Sequence, residues 1–294
     1  MVDNILISII IPTYNRAHII GQTIKSLQNQ IFKDYEIIVV DDGGKDNTKM
    51  VIEEYNDNRI RYYWKENAER GAARNFGAKL AKGKFLNFFD SDDIAYDNHL
   101  KTANDFISLN PSIVAFHTSY DWKDTNLKNI GSSVIHIGEL NKKIYKNNIC
   151  SCNNVFIRKQ EFDNLKFSEE RILSGTEDWL LWLQIACRYS FIGLKNVTSS
   201  IIQHDQRSMI LASGDSTLAR AIVLEHCIYN DEVLCNHHTI IKSAIAEVFF
   251  LSALFFSIEK KRTESIKFGL KALKLRPTIV FTKRTLAILK YLIF

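Results

Sequence analysis

Hydrophobic and polar positions alternate in regular blocks along the first part of this chain. Ile5 to Ile11 is a continuous, largely β-branched run, the pattern of a strand covered on both faces. Pro12-Thr13-Tyr14-Asn15 breaks it, and apolar residues return at helical spacing at Ile19, Ile20, Ile24 and Leu27. Tyr35 to Val40 predicts a second strand, closed by Asp41-Asp42-Gly43-Gly44. Lys49 to Tyr55 predicts helix, Ile60 to Trp64 a short strand, Gly71 to Ala81 a helix of small residues, and Phe85 to Phe89 the next strand. Strand and helix alternating at this interval predict βαβ units and a parallel sheet.

Past Asp93 the pattern predicts a helix to about Leu109, a strand over Ile113 to Ser119, and a polar, loop-rich stretch from Trp122 to Leu140. Val155 to Arg158 predicts a strand and Trp179 to Tyr189 an amphipathic helix. Beyond about Leu218 the pattern is helical, so the expectation is an α/β domain with a helical C-terminal appendage.

Composition narrows this modestly. A hydrophobic fraction of 46% and a charged fraction of 24% over 294 residues describe a globular chain able to bury a large core. The net charge of +5 suits anionic substrates or a membrane surface and is too small to argue for nucleic acid. The five cysteines are odd in number and lack paired zinc spacing, and Cys150 and Cys152 read as alternating positions on a strand in a reducing compartment. No basic n-region precedes the first strand, so no signal peptide is expected. The most apolar stretch, Ala244 to Phe256, is short for a membrane span and contains Glu247; it reads as a buried helix. The chain is expected to be cytoplasmic.

Four polar clusters fall where βα strands should end, the edge at which open α/β sheets bind ligands. In Pro12-Thr13-Tyr14-Asn15-Arg16, an exposed Tyr14 can stack on a base and Arg16 can meet a phosphate, although Thr13 or Asn15 can equally cap a helix. In Asp41-Asp42-Gly43-Gly44, a carboxylate can accept from a base N–H while the glycines let backbone approach a ligand; the plainer explanation is a turn. The third cluster holds Asn67, Arg70, Gly71, Arg74 and Asn75. Arg70 and Arg74 are spaced to share one helix face near its N-terminus, where anions bind, or to form a solvated basic face. The fourth is Asp90-Ser91-Asp92-Asp93, after the apolar run Phe85 to Phe89. Ionised carboxylates there need a partner, and a hard divalent cation with diphosphate oxygens is one; a solvated acidic turn is the alternative. No G-x-G-x-x-G follows the first strand and no G-x-x-x-x-G-K-[ST] occurs, which argues against a dinucleotide fold and an ordinary P-loop enzyme.

Ser8-Ile-Ile-Ile-Pro-Thr-Tyr-Asn-Arg16, Glu36-Ile-Ile-Val-Val-Asp-Asp-Gly-Gly44, Ala73-Arg-Asn-Phe-Gly77 and Phe89-Asp-Ser-Asp-Asp93 resemble the N-terminal motifs of family 2 glycosyltransferases, and Glu177-Asp178-Trp179-Leu180-Leu181-Trp182 resembles the family's downstream acid pair. The resemblance covers roughly the first two-thirds of the chain. It implies a GT-A-type, Rossmann-like α/β fold with a mixed, mostly parallel sheet flanked by helices. The catalytic domain is expected over residues 1–215, with a nucleotide-sugar half over about 1–95 and an acceptor half over about 96–215; residues 216–294 form the helical region.

Carried across residue by residue, the family's roles place Pro12, Tyr14 and Arg16 at the nucleotide. Asp42 would read the base N3–H, with Asp41 the weaker candidate for that contact. Arg70 would contact base or diphosphate, Asp90 the ribose hydroxyls, and Asp92 would ligate Mn²⁺ or Mg²⁺, with Asp93 supporting the turn. Asp178 would be the general base, with Glu177 orienting it or the acceptor. His204, in Ile202-Gln-His-Asp-Gln-Arg-Ser208, resembles a segment that closes over the diphosphate and is a second metal or phosphate candidate. The Q-x-x-R-W signature of processive synthases is absent.

The resemblance therefore implies an inverting, metal-dependent, non-processive transferase that uses a nucleotide sugar, with UDP-sugar the expected donor. The expected acceptor is a glycan or lipid-linked saccharide of surface polysaccharide synthesis. A sugar nucleotidyltransferase is the rival enzyme class, but Pro12-Thr13-Tyr14-Asn15 stands where its Gly-rich loop belongs. A non-catalytic nucleotide-sugar-binding subunit is the rival outside catalysis. The stretch Arg276 to Phe294 mixes Lys283, Arg284 and Lys290 with apolar residues at helical spacing. It can lie on the inner face of an anionic membrane, or pack on the catalytic domain or on a partner in a homodimer; packing is the favoured expectation.

Overall fold

The computed structural model describes residues 5–204 and 212–293. The chain divides into two compact units. One takes the chain up to Leu140 with Cys150–Leu181 and Tyr189–His204; the other takes Asn141–Ile149, Trp182–Arg188 and the C-terminal helices.

The elements follow in the order β1 (Ile7–Thr13), α1 (Ile20–Gln28), β2 (Tyr35–Asp42), α2 (Thr48–Glu53), β3 (Ile60–Lys65), α3 (Glu69–Leu80), β4 (Phe85–Phe88), β5 (Ile94–Ala95), α4 (His99–Leu109), β6 (Ala115–Asp124), β7 (Gly138–Glu139) and α5 (Asn141–Ile144). β8 (Val155–Arg158), α6 (Lys159–Leu165), α7 (Glu177–Arg188) and β9 (Phe191–Gln203) follow. The strands form one mixed sheet in the order β3-β2-β1-β4-β8-β6-β9-β5, with β7 beside β9. The long ladders, β3-β2-β1-β4 and β6-β9, are parallel, whereas β8, β5 and β7 make short antiparallel pairings.

β1 is buried on both faces, as its largely apolar run requires, and its one polar interior residue, Ser8, donates to Glu36 at 2.6 Å. Ile7, Ile9 and Ile11 join Ile20, Ile24 and Leu27 of α1 in one core. Ile10 faces α3, where a Cβ added to Gly77 would stand 2.5 Å from its Cγ2. Glycine at 77 thus lets α3 lie close on β1 and β2.

Cys150 and Cys152 lie in a loop and a short 3₁₀ turn rather than on a strand. Two other departures from the sequence expectation share a cause: β9 stands where no strand is expected, and β6 continues past Ser119 to Asp124. The middle of β9 is polar and yet fully buried at Thr198, Ser199 and Ser200. Two of these hydroxyls are satisfied internally: Thr198 Oγ1 lies 2.8 Å from His99 Nδ1 and 2.7 Å from Thr118 Oγ1, and Ser199 donates to Asn154 Oδ1 at 2.8 Å, whereas the Ser200 hydroxyl has no partner among the described residues. Buried polar groups that find partners defeat an apolar pattern without defeating a strand.

The second unit is helical, with α8 (Gly214–Asn230), α9 (His238–Ile258), α10 (Arg262–Leu275) and α11 (Lys283–Ile293). Helix α9 is its centre, packed by α8, α10 and α11. It is longer than the apolar stretch suggested, because His238, Thr239 and Lys242 interrupt the hydrophobic run without ending the helix. Its 21 residues are long and apolar enough to cross a membrane by length and composition, and 61% of the most apolar window is buried inside the protein. Glu247 on α9 is tied by Arg276 at 2.7 Å and by Arg284, so its charge is paired rather than stranded.

Candidate active site

The carboxyl ends of β1, β2 and β4 bring three of the sequence clusters to one sheet edge. Pro12, the penultimate residue of β1, pairs with Val40 of β2. Thr13 follows with a buried hydroxyl that has no hydrogen-bond partner among the described residues. Tyr14 then projects outward, 49% exposed, and Asn15 takes a left-handed conformation with its Oδ1 accepting from the Lys45 N–H at 2.8 Å. An exposed aromatic beside an orphaned buried hydroxyl is a surface prepared for a polar, stackable ligand.

Asp41 and Asp42 diverge although adjacent. Asp41 faces inward, accepting from the Gly44 N–H at 2.8 Å and the Tyr62 hydroxyl at 2.7 Å. Burial, then the hydrogen bond to Asp41, raises the Tyr62 hydroxyl well above its ordinary value, so it stays a donor at neutral pH. Asp42 takes Lys65 Nζ at 2.6 Å and the Ala68 N–H at 3.0 Å on Oδ1, with Asn67 Nδ2 at 3.2 Å from Oδ2. It thereby ties β2 to the loop that leads into α3. Lys65 carried no signal in the sequence beyond being a charge at a strand end.

The acidic tetrad separates into three environments. Asp93 is buried, its Oδ2 accepting from Asn153 Nδ2 and its Oδ1 from the Ile202 N–H, each at 2.7 Å. Asn153 also accepts from the Asp90 N–H at 2.7 Å, so one amide side chain holds both ends of the turn. Asn153, which the sequence reading does not single out, thus supplies the clamp. Its only signal was two consecutive asparagines directly before an apolar strand. Asp92 turns outward, with Oδ2 2.9 Å from His204 Nε2 and 4.0 Å from Arg16 Nη2. Residues 205–208 of the segment expected to cover the diphosphate lie outside the described residues.

Asp90 pairs with Arg74, whose Nη2 is 3.0 Å from Oδ1. The Nη1 of the same guanidinium lies 2.7 Å from Glu177 Oε1, so Arg74 bridges the tetrad to the downstream acid pair. The expectation of a free or solvated basic face is corrected for Arg74: it is buried, stacked on Phe167, and committed to two carboxylates. Burial alone would lower its pKa, but the Asp90, Glu177 and Asp178 charges hold it well above the ordinary value; Cys152 beside it is kept neutral by burial. Arg70 is about a third exposed, its Nε 3.9 Å from Glu177 Oε1.

Glu177 and Asp178 open α7. Glu177 is buried and also accepts from the Gly175 N–H at 2.6 Å, an acid placed where the helix start favours negative charge. Asp178 is only partly buried, and its Oδ1 accepts from the Trp179 N–H at 2.7 Å.

The donor set for a metal is short. Among the described residues no three His, Cys, Asp or Glu side chains gather as a cage. Asp92 and His204 together offer one carboxylate and one imidazole, which fits a cation that keeps one or two protein ligands and takes the rest from phosphate oxygens. These residues suit Mn²⁺ or Mg²⁺ arriving with a diphosphate.

Comparison with known proteins bears on the family and the fold. The family model described as Glycosyl transferase family 2 matches residues 8–165. An uncharacterized glycosyltransferase of Rickettsia conorii is 35% identical over 200 residues, covering 66% of this chain and 32% of that protein. The chain spans about a third of the length of such Rickettsia relatives. The Escherichia coli UDP-Glc:alpha-D-GlcNAc-diphosphoundecaprenol beta-1,3-glucosyltransferase WfgD is 33% identical over 184 residues, covering 62% of this chain and 70% of that one. Among solved structures, S. aureus TarS residues 1–349 with UDP-GlcNAc aligns at a TM-score of 0.71 and 23% identity, over 94% of this chain and 82% of that one. Since the family model spans more than half of the 294 residues and the sheet is that of GT-A enzymes, the chain belongs to glycosyltransferase family 2.

Proposed function

We propose that this protein transfers a sugar, with inversion, from a UDP-sugar to a hydroxyl of a lipid-linked glycan in surface polysaccharide synthesis, at the cytoplasmic face of the plasma membrane. The observation that carries the reading is the Arg74 bridge, which holds Asp90 on the nucleotide side and Glu177 on the acid-pair side of one site. The donor and acceptor classes are supported by the names of relatives. WfgD is named for UDP-Glc and a diphosphoundecaprenol acceptor. A Campylobacter jejuni relative, 42% identical over 100 residues, is named for a PP-undecaprenol acceptor.

In this reading Tyr14 flanks the base, Asp42 and the exposed Arg70 line the base and diphosphate, and Asp90 meets the ribose. Asp178 takes the acceptor proton onto its carboxylate as the acceptor oxygen attacks the anomeric carbon. The bond from that carbon to the diphosphate breaks as the new one forms, and the nucleoside diphosphate leaves. An alkyl hydroxyl is too weak an acid to ionise first, so proton transfer accompanies attack. Asp92 and His204 would hold Mn²⁺ or Mg²⁺, which when bound would supply electrostatic relief for charge on the departing diphosphate. Glu177, held by Arg74 and the Gly175 N–H, fixes the start of α7 and hence the position of Asp178.

The test is Asp178→Asn, assayed with a panel of nucleotide sugars, Mn²⁺ and a lipid-linked acceptor. General-base assistance is worth ~10²–10⁴-fold, so kcat falls by about that factor while donor affinity holds. An asparagine variant at wild-type rate overturns the base assignment. UDP binding without turnover of any donor overturns catalysis itself and leaves a nucleotide-sugar-binding subunit.

A further inference from the structure

The C-terminal helices carry a surface the catalytic reading does not use. From Ser265 to the last residue the sequence contains seven Lys and Arg and no Asp or Glu. Three of these cations are committed within the fold: Lys271 to Glu225 at 2.9 Å, and Arg276 and Arg284 to Glu247. Lys267, Lys274, Lys283 and Lys290 make no ion pair among the described residues.

Helix α11 and the turn before it are split by face. Ile279 and Ile288 are buried, and α11 packs on α9. The opposite side leaves Phe281 88% exposed, Leu286 71% and Leu289 48%. Spacings of three and four residues put Lys283, Leu286, Leu289 and Lys290 on one outward face. Exposed apolar residues of this size, interleaved with cations and free of anions, have a defined chemical complement. Their side chains enter an apolar layer, and lysine stems lie along it while the ammonium groups reach phosphate oxygens.

We propose that this face of α11, with Phe281, docks on the anionic surface of a lipid bilayer. The charge pattern selects that occupant over a second copy of the chain. A two-fold contact through the face would set Lys283 and Lys290 against cations of the same strip, with no carboxylate to offset them. The inference concerns partitioning and stands apart from the identity of donor and acceptor.

The full chain is mixed with vesicles of about one-third phosphatidylglycerol in phosphatidylcholine, or of phosphatidylcholine alone, and floated. Wild type rises with the anionic vesicles only, and high salt weakens the binding. Lys283→Gln with Lys290→Gln lowers the partition coefficient about 30-fold, the product expected for two surface cations. Leu286→Ser with Leu289→Ser lowers it while leaving the thermal melt unchanged, since both leucines face outward. Equal flotation on neutral and anionic vesicles overturns the proposal, as does flotation on neither. A dimer in sedimentation that the leucine variant dissociates also overturns it in favour of a second copy.

Discussion

Replacing Arg74 with methionine is the most searching test of how the candidate site is held. The side chain is only 3% exposed, and its guanidinium forks to Glu177 at 2.7 Å and Asp90 at 3.0 Å. Methionine keeps most of the volume and the contact with Phe167, so the loss is electrostatic rather than a cavity. The two orphaned acids respond differently. Asp90 is 32% exposed and can be rehydrated, whereas Glu177 is 3% exposed and keeps the Gly175 N–H and a distant Arg70. Removing one member of a buried pair costs about 3–5 kcal/mol, and most of that falls on Glu177. For a domain of this size that is a drop of roughly 6–20 °C in Tm. Adding Glu177→Gln removes the stranded charge, so the double variant recovers about 1–3 kcal/mol over Arg74→Met alone. Urea unfolding of the four proteins reads the cycle. An Arg74→Met protein within about 1 kcal/mol of wild type, or a double variant showing simple addition of two losses, refutes the bridge as the element that holds the site.

Two further outcomes follow from the same geometry. Asp92→Asn should weaken donor binding in the presence of Mn²⁺ and leave metal-free UDP binding nearly unchanged by titration calorimetry; equal loss with and without metal would count against Asp92 as the ligand. Burial pushes the His99 imidazole down to about 3, and the fully buried His117 is also held well below its ordinary value, by burial and then by His136. The unfolded chain, titrating near 6.5, therefore takes up these protons first, and stability present at pH 7 is lost as pH falls. His99 alone should cost about 2 kcal/mol between pH 7 and pH 5, and denaturant midpoints that stay constant over that interval would refute it.

The legible parts of the fold are those where burial is achieved by apolar side chains. β1, β2 and β4 are covered on both faces and read as mostly hydrophobic runs, each with a single polar residue before its end (Ser8, Glu36, Asn87), so their ends, and with them Tyr14, Asp42 and Asp90, could be placed. The Thr198–Ser200 stretch of β9 is just as buried, but Thr198 and Ser199 satisfy their hydroxyls through His99, Thr118 and Asn154, which lie far off in sequence. No local pattern reports such partners. The helical spacing of Arg70 and Arg74 was legible, yet spacing cannot say what the helix face meets. Phe167 and Glu177 meet Arg74, and this turns one of two similar cations into a buried strut while leaving Arg70 at the surface.

The acidic tetrad shows the same limit at single-residue scale. In sequence Asp90, Asp92 and Asp93 form one acidic signal; in the fold a tight turn sends each carboxylate to a different partner. Asp93 is consumed by Asn153 and the Ile202 N–H, and Asp90 is shared with Arg74. Asp92 alone is left turned outward beside an imidazole. Asp93 cannot bind a ligand without giving up two hydrogen bonds in a buried site, a cost of about 1–3 kcal/mol for each group left unsatisfied. Asp92 gives up a contact with His204, which can turn toward the same cation, and a 4.0 Å approach of Arg16. The residue least occupied by the fold is therefore the one with capacity for a metal, and that argument rests on its partners rather than on its place in the motif.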